Sequence, residues 1–151
     1  MRAEESVEIN RPLHEVFSYV ANPKNIPEWS NLALEVREET EGQPHQGYRF
    51  IAAAKFLGRR LEMPFEVTAY EPNRLYSHRS TGGPFPVEWT LTFEQAAGGI
   101  RLTEDAQGEP GSFFRLVGRL LERAVRRQMR TDLETMKDLL ESETSQGDSS
   151  S

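Results

Sequence analysis

The sequence predicts a single α+β domain in which a seven-stranded curved antiparallel sheet wraps around a long C-terminal α-helix. Three observations predict it. Short segments that alternate apolar and polar residues follow one another between turn residues, which is typical of consecutive antiparallel hairpins. A segment without proline then runs from Phe113 to about Leu140 with apolar residues at helical spacing. The length of 151 residues is that of one domain.

The first 30 residues predict one strand and two short helices. Residues 6–9 alternate and form the strand. A helical face follows at spacings i, i+3, i+4 and i+7, made of Leu13, Val16, Phe17 and Val20. Residues 22–30 contain two prolines and predict a loop or a broken short helix, in which Ile26 and Trp29 point inward.

Six further strands are expected between residues 32 and 107. The clearest alternates four apolar residues with polar ones, namely Val87, Trp89, Leu91 and Phe93. Gly58-Arg59 and Gly98-Gly99 predict hairpin turns. Pro64 interrupts an otherwise regular strand and predicts a bulge or an edge position, because proline cannot donate to a ladder.

The predicted C-terminal helix is followed by a polar segment. Its apolar stripe drifts around the axis, which suits a helix wrapped by a twisted sheet. Residues 142–151 are rich in serine and acidic residues, so we expect a disordered polar tail. The expected folded domain therefore covers residues 1–141.

Composition excludes several classes of protein. Hydrophobic residues make up 36% and charged residues 28%, as in a globular domain, and no apolar run is long enough to span a membrane. The N-terminus has no apolar region typical of a signal peptide, so we expect a cytoplasmic protein. The absence of cysteine excludes disulfides, thiolate metal sites and a cysteine nucleophile. The net charge of −6 argues against nucleic acid as the main partner.

Three sequence phrases, in order, carry a resemblance to a known family. They are INRP at 9–12 with VF at 16–17 and NIPEW at 25–29, then VTAYEPNRL at 67–75, then WTLTF at 89–93 with GGIRLT at 98–103. Together with the order of elements, they resemble the SRPBCC superfamily, the START-like or helix-grip proteins, and most closely its polyketide cyclase/dehydrase-like branch. The resemblance covers about residues 3–140. Asn22 and Ile100 depart from it at positions where Asp and Thr are frequent.

This resemblance implies a helix-grip fold with an interior cavity for lipids, sterols, polyketides or aromatic hydrocarbons. It does not imply one chemistry, because members include cyclases, hydroxylase domains, lipid carriers, chaperone activators and stress proteins. No catalytic set is carried over, and no cofactor is expected. The three histidines do not have the spacing of metal ligands, and no nucleotide-binding or nucleophile-elbow motif occurs.

The inward parity of the strands and the apolar face of the helix supply candidate residues for the cavity lining. These are Trp29, Phe50, Met63, Phe65, Trp89, Leu91, Phe113, Val117 and Leu121. The alternative is that the same residues simply fill the core, since large apolar residues are buried in any case.

Polar residues at strand positions whose side chains are expected to face inward are weak candidates for catalysis. Glu104 is in phase with Ile100 and Leu102, and if Leu75 points inward then so does Arg79. An Arg79–Glu104 pair could bind a polar ligand group or supply an acid and its partner. The alternative is a bulge that turns both into solvent. His78 has the opposite parity and is expected to be exposed and inert.

The last helix also carries a row of basic residues, the arginine stripe, made of Arg115, Arg119, Arg123, Arg126, Arg127 and Arg130. The stripe is either a solvated face with Glu122–Arg126 and Arg130–Glu134 pairs, or a docking surface for an anionic membrane or a protein.

Three functions remain open at this point. The sequence favours a module that binds a hydrophobic small molecule such as a lipid, a polyketide or an aromatic compound. The second is a polyketide cyclase or dehydratase that uses polar cavity residues. The third is a docking module that uses the arginine stripe.

Overall fold

The structure, a computed structural model, describes residues 2–56, 58–83, 86–108 and 118–149. Two short helices, with a 3-10 turn at Pro23–Asn25 between them, follow the first strand, and a long helix follows the last one. The elements are β1 (Arg2–Ile9), α1 (Leu13–Val20), α2 (Ile26–Trp29), β2 (Ala33–Glu38), β3 (Arg49–Phe56), β4 (Arg59–Glu71), β5 (Leu75–Ser80), β6 (Val87–Ala96), β7 (Gly99–Gly108) and α3 (Gly118–Ser149).

The strands form one antiparallel sheet in the order β1-β7-β6-β5-β4-β3-β2. Consecutive strands from β2 to β7 pair as hairpins, so this part is a meander. The exception is β1, which pairs with β7 from Arg2 opposite Gln107 to Ile9 opposite Ile100. The predicted fold class, a seven-stranded sheet with two short helices after β1 and a long C-terminal helix, is confirmed.

Helix α3 lies on the inner face of the sheet and buries its apolar stripe there. Met129, Leu133, Met136 and Leu140 are each at most 2% exposed. The expected start of the helix at Phe113 lies outside the described residues. Its backbone continues to Ser149, whereas a disordered tail was expected from residue 142. Once a helix is nucleated, each further residue adds a hydrogen bond without a new nucleation cost, so polar residues can extend it. The limits of the binding domain, 1–141, stay a prediction.

The edge strand β1 is covered by side chains of α3. The Lys137 ammonium donates to the Glu8 carbonyl at 2.7 Å, and the Arg126 guanidinium donates to the Glu4 carbonyl at 3.3 Å. The Glu141 carboxylate accepts from the Asn10 N–H at 3.1 Å. These contacts use backbone groups that an open edge would leave unpaired, and they fix the helix to the sheet.

Pro64 lies in the part of β4 that extends beyond the end of β5, so it has a paired strand on one side only, which agrees with the predicted edge position. It pairs opposite Ile51 without a register shift, and the irregularity of β4 falls between Val67 and Ala69 instead. On its other side, β5 has ended at Ser80, and the Pro64 carbonyl accepts from the Thr81 N–H at 2.9 Å. The missing N–H of Pro64 therefore removes no ladder bond.

Helix α1 closes one end of the sheet. It buries Val16, Phe17 and Val20. The Phe17 ring packs edge-on against Phe93 at 5.0 Å and against Tyr70 at 5.3 Å. Phe93 lies near the C-terminal end of β6, so α1 packs on that end of the strand. The inward face of the N-terminal end of β6 is not covered by this contact.

Candidate ligand cavity

A cavity of about 460 Å³ lies between the sheet and α3, beyond the end that α1 fills. The sheet contributes the inward side chains of β3 to β7, the helix contributes Leu121, Val125 and Met129, and α2 contributes Ile26 and Trp29. Leu32 lines the cavity and is also 41% exposed, so the cavity opens to solvent beside it. Its volume lies within the range of about 300–1,000 Å³ that is usual for small-molecule sites.

The structure places the candidate lining residues around this cavity wherever it describes them. These are Trp29, Phe50, Met63, Phe65, Trp89, Leu91 and Leu121. Phe113 and Val117 lie outside the described residues. The alternating strands explain the agreement, because successive inward residues of neighbouring strands line the same face. That these residues bind a ligand stays a prediction.

An aromatic cluster forms one wall of the cavity around His78. The rings of Phe50 and Phe65 stack with centroids 5.4 Å apart. The imidazole of His78 meets Phe50 at 5.4 Å, Phe65 at 5.1 Å and Tyr76 at 5.5 Å, each time edge to face. Its Nδ1 lies 3.1 Å from the Tyr76 hydroxyl oxygen. The members of this cluster that line the cavity, Phe50, Phe65 and His78, therefore present two apolar rings and one imidazole.

The prediction that His78 is exposed and inert is wrong in its first part. His78 is 8% exposed, and burial lowers the pKa of its imidazole to about 3. The ring is therefore neutral at physiological pH. Burial also raises the pKa of Tyr76, so its hydroxyl keeps its proton and can donate it to Nδ1.

Arg79 lies on the opposite face of β5 and is exposed. It stands opposite Glu66 on β4 and Glu88 on β6 in the ladder. The predicted Arg79–Glu104 pair inside the cavity is therefore wrong. An inward Arg79 depended on Leu75 pointing inward, but Tyr76 and His78 face the cavity side of the sheet instead. A slip of one residue exchanges the two faces of a strand.

Glu104 does face the cavity, as its parity predicts. It is 4% exposed on β7, beside the inward residues Leu91 and Ala106. Burial raises the pKa of its carboxyl to about 8, and the negative charge of Asp132 adds to this shift. Within the part of the chain that the structure describes, no group forms a hydrogen bond with the carboxyl. Glu104 is therefore protonated near pH 7.

Asp132 is a second carboxyl on the cavity wall, and the sequence analysis missed it. It is 7% exposed on α3. The Gln128 amide donates to it at 2.8 Å, and both the backbone N–H and the side-chain amide of Asn31 donate at 3.3 Å. Burial raises the pKa of Asp132 to about 6, although these hydrogen bonds oppose the rise. Its position in the apolar stripe of α3, three residues after Met129 and four before Met136, could have identified it as a buried carboxyl from the sequence.

The two carboxyls differ in protonation near neutral pH. Glu104, with a pKa of about 8, holds a proton that it can donate, while Asp132, with a pKa of about 6, is mostly an acceptor. Pairs of groups whose environments separate their pKa values are typical of acid–base chemistry. Among residues 2–56, 58–83, 86–108 and 118–149, no group of three metal-binding side chains is placed to hold an ion.

The arginine stripe does not form one free surface. Arg126 and Arg130 lie 3.7 and 3.5 Å from the Glu5 carboxylate, and Arg126 also pairs with Glu122 at 3.1 Å. Arg130 thus pairs across to β1 rather than with Glu134. Arg119, Arg123 and Arg127 are exposed, and Arg115 lies outside the described residues. No helix in the described ranges is long and apolar enough to cross a membrane. Docking through the exposed arginines stays a prediction.

Solved structures with the same architecture share little sequence with this chain. Protein TTHA0849 from Thermus thermophilus has a TM-score of 0.76 and 16% identity, covering 94% of this chain and 97% of its own. A START superfamily protein from Mycobacterium smegmatis has a TM-score of 0.76 and 13% identity, with coverages of 93% and 97%. Protein DR_A0006 from Deinococcus radiodurans has a TM-score of 0.69 and 17% identity, with coverages of 91% and 95%. At these identities the likeness shows the fold.

No curated protein matches the sequence. A family model does match it, over residues 1–141, and the family is described as polyketide cyclase / dehydrase and lipid transport. This match covers both short helices, all seven strands and the part of α3 that packs on them. It confirms the resemblance that the three sequence phrases carry, and the chain belongs to the polyketide cyclase / dehydrase and lipid transport family.

Proposed function

We propose that the chain binds a hydrophobic small molecule in the cavity between the sheet and α3. The observation that carries this proposal is a cavity of about 460 Å³ whose walls are mostly apolar and aromatic. Pockets of this kind hold small molecules by burying their apolar surface, while a few polar groups fix their orientation. The family, which includes lipid transport in its description, supports the same class of ligand.

The first test is whether an apolar compound stabilises the folded protein. A ligand that binds only the folded state should add about 2.7 kcal/mol at a hundredfold excess over its dissociation constant. We expect fatty acids, sterols or aromatic polyketides to raise the melting temperature, and native mass spectrometry to detect the bound compound. The absence of any shift and of any bound mass across this panel would contradict the proposal.

Filling the cavity should abolish the same shift. Ala52 lines the cavity on β3, so the indole of an Ala52→Trp variant would project into the space that a ligand needs. We expect the affinity for any stabilising compound to fall at least about tenfold. Ala97→Trp is the matched control, because Ala97 is exposed in the turn between β6 and β7. If the Ala52→Trp variant binds as well as the control, the ligand lies elsewhere.

A second candidate function is a polyketide cyclase or dehydratase, and the Glu104 and Asp132 carboxyls favour it. Cyclisation and dehydration of a ketone-rich substrate require removal of a proton next to a carbonyl and protonation of an oxygen. A carboxyl that holds its proton and a neighbouring carboxylate can supply both steps. Glu104 would be the acid and Asp132 the base. The single-turnover rate with a poly-β-ketone substrate should fall in Glu104→Gln while binding remains. An unchanged rate would remove Glu104 from this role.

A further inference from the structure

Among the described residues, the Glu104 carboxyl has no hydrogen-bond partner on the wall of a mostly apolar cavity. It is 4% exposed and faces the cavity, and no group in residues 2–56, 58–83, 86–108 or 118–149 donates to it or accepts from it. A buried carboxyl without a hydrogen bond is costly, and it costs more once it is ionised. A ligand that supplied the missing partner would remove that cost.

A second carboxyl faces the same cavity and is held in place. Asp132 receives hydrogen bonds from Gln128 and from both amide groups of Asn31, which fix its side chain against α3. Glu104 and Asp132 both line this cavity, and the negative charge of Asp132 contributes to the raised pKa of Glu104. The cavity therefore presents a pair of carboxyls to its contents.

Basic side chains of the described ranges do not neutralise this pair. Arg126 and Arg130 pair with Glu5, which stands opposite Glu104 on β1. Lys55 lines the cavity but is exposed at its rim. The His78 ring is neutral. A ligand with a carboxylate or a phosphate would meet negative charge here, whereas a cation would be attracted.

Resting on the binding function proposed above, we propose that the ligand is a hydrophobic amine whose ammonium group lies between the Glu104 and Asp132 carboxyls. An ammonium has three donors and no acceptor, which suits two carboxyl groups. Hydrogen bonds between ionised groups are stronger than neutral ones. The apolar body of such a ligand would pack against the aromatic walls formed by Phe50, Phe65 and Trp89.

Three probes with the same apolar body test this proposal, namely 2-naphthylmethylamine, 2-naphthylmethanol and 2-naphthoic acid. Their dissociation constants would be measured by isothermal titration calorimetry at pH 7. We expect the amine to bind at least about tenfold more tightly than the alcohol, since desolvated pairs of opposite charge contribute more than about 1.4 kcal/mol. We expect the acid to bind most weakly.

Proton release is a second readout of the same binding event. The other charged or titratable groups that line the cavity or lie beside the pair are His78, Lys55, Glu5 and the two arginines that hold Glu5. The ammonium favours the ionised form of both carboxyls, so binding should release up to about one proton per molecule at pH 7. The affinity for the amine should therefore rise between pH 5 and pH 8. Titrations in buffers of different ionisation enthalpy measure the released proton.

The double variant Glu104→Gln/Asp132→Asn keeps the size of both side chains and removes both charges. We expect its preference for the amine over the alcohol to fall below about threefold, because the ammonium loses both of its ionic partners. Glu88→Gln is the control, because Glu88 is exposed on the outer face of β6. Equal binding of amine and alcohol to the wild-type protein, or a preference that survives in the double variant, would overturn this inference alone. If none of the three probes binds while a fatty acid, sterol or polyketide does, this inference fails and the binding function stands. Failure of the probes and of that panel alike would contradict the binding function as well.

Discussion

Replacement of Glu104 by glutamine is expected to stabilise the protein at alkaline pH and to leave its stability unchanged near pH 4. In the unfolded chain this carboxyl has an ordinary pKa, whereas in the folded protein burial raises its pKa to about 8. Above the unfolded pKa the unfolded state binds fewer protons than the folded state, so folding stability falls as the pH rises. The loss is complete once the pH passes the folded pKa. Glutamine cannot ionise, so the variant does not undergo this loss of stability.

The size of this effect follows from the shift in pKa. A rise in pKa from its ordinary value to about 8 corresponds to a stability difference of about 5 kcal/mol at pH 8.5. Urea unfolding of Glu104→Gln and of the wild-type protein at pH 4, 6 and 8.5 measures it. The exposed Glu88→Gln variant should show no comparable pH-dependent gain. A gain that is equal at all three pH values would show that Glu104 is not held protonated by burial.

Replacement of Gly99 by alanine is expected to destabilise the fold strongly. Gly99 begins β7 with a φ of +120°, which residues with a side chain rarely adopt. A Cβ atom there would lie 2.2 Å from the Ile9 carbonyl oxygen and 2.8 Å from the Asn10 Cα. Both are backbone atoms at the end of β1, so the strand itself would have to move. We expect a loss of about 3 kcal/mol in the free energy of unfolding.

Thermal unfolding measures this loss, with a decrease in melting temperature of about 6–12 °C for a chain of this length. Gly58→Ala is the matched control. Gly58 also has a positive φ, +77°, but apart from its own chain neighbours no described residue has an atom within 4 Å of the position of its Cβ. The Gly58→Ala variant should lose only about 1 kcal/mol of stability, which is the cost of placing a residue with a side chain in the left-handed backbone conformation. Equal losses in the two variants would mean that the contact with β1 does not matter.

The strands with a clear contrast between their two faces could be predicted from the sequence. On β6, Val87, Trp89, Leu91 and Phe93 alternate with polar residues, and this parity places Trp89 and Leu91 on the cavity wall. The same reasoning places Glu104 inward on β7. On these strands the hydrophobic pattern shows which face is buried. The pairing of strands then determines which residues of the neighbouring strands lie on the same face.

The orientation of β5 could not be read in the same way, because both of its faces are mixed. Leu75 and Ser77 share one face, and Tyr76 and His78 share the other. The bulge between Val67 and Ala69 on the neighbouring strand also changes which residues stand opposite one another. The size of Tyr76 was the better guide to the buried face, since it is only 1% exposed.

The polar part of the cavity depends on contacts between distant segments. Asp132 is on α3, and two of its donors come from Asn31, which precedes β2. A sequence pattern shows a carboxyl on an apolar helical face, but it does not show which amides will hold it. The pairing of Arg130 with Glu5 rather than with Glu134 has the same origin, because the geometry of docking selects a partner that helical spacing does not predict.

The pairing of β1 with β7 also bears on the order in which the chain acquires its structure. Arg2 stands opposite Gln107, so β1 cannot pair until β7 has been synthesised, although β1 precedes the other six strands in the sequence. During translation the hairpins from β2 to β7 can form in sequence, whereas β1 keeps its ladder groups unpaired until residue 108 has left the ribosome. Contacts between segments so far apart slow folding. While β1 is unpaired, the negative charges of Glu4, Glu5 and Glu8 disfavour its association with other nascent chains.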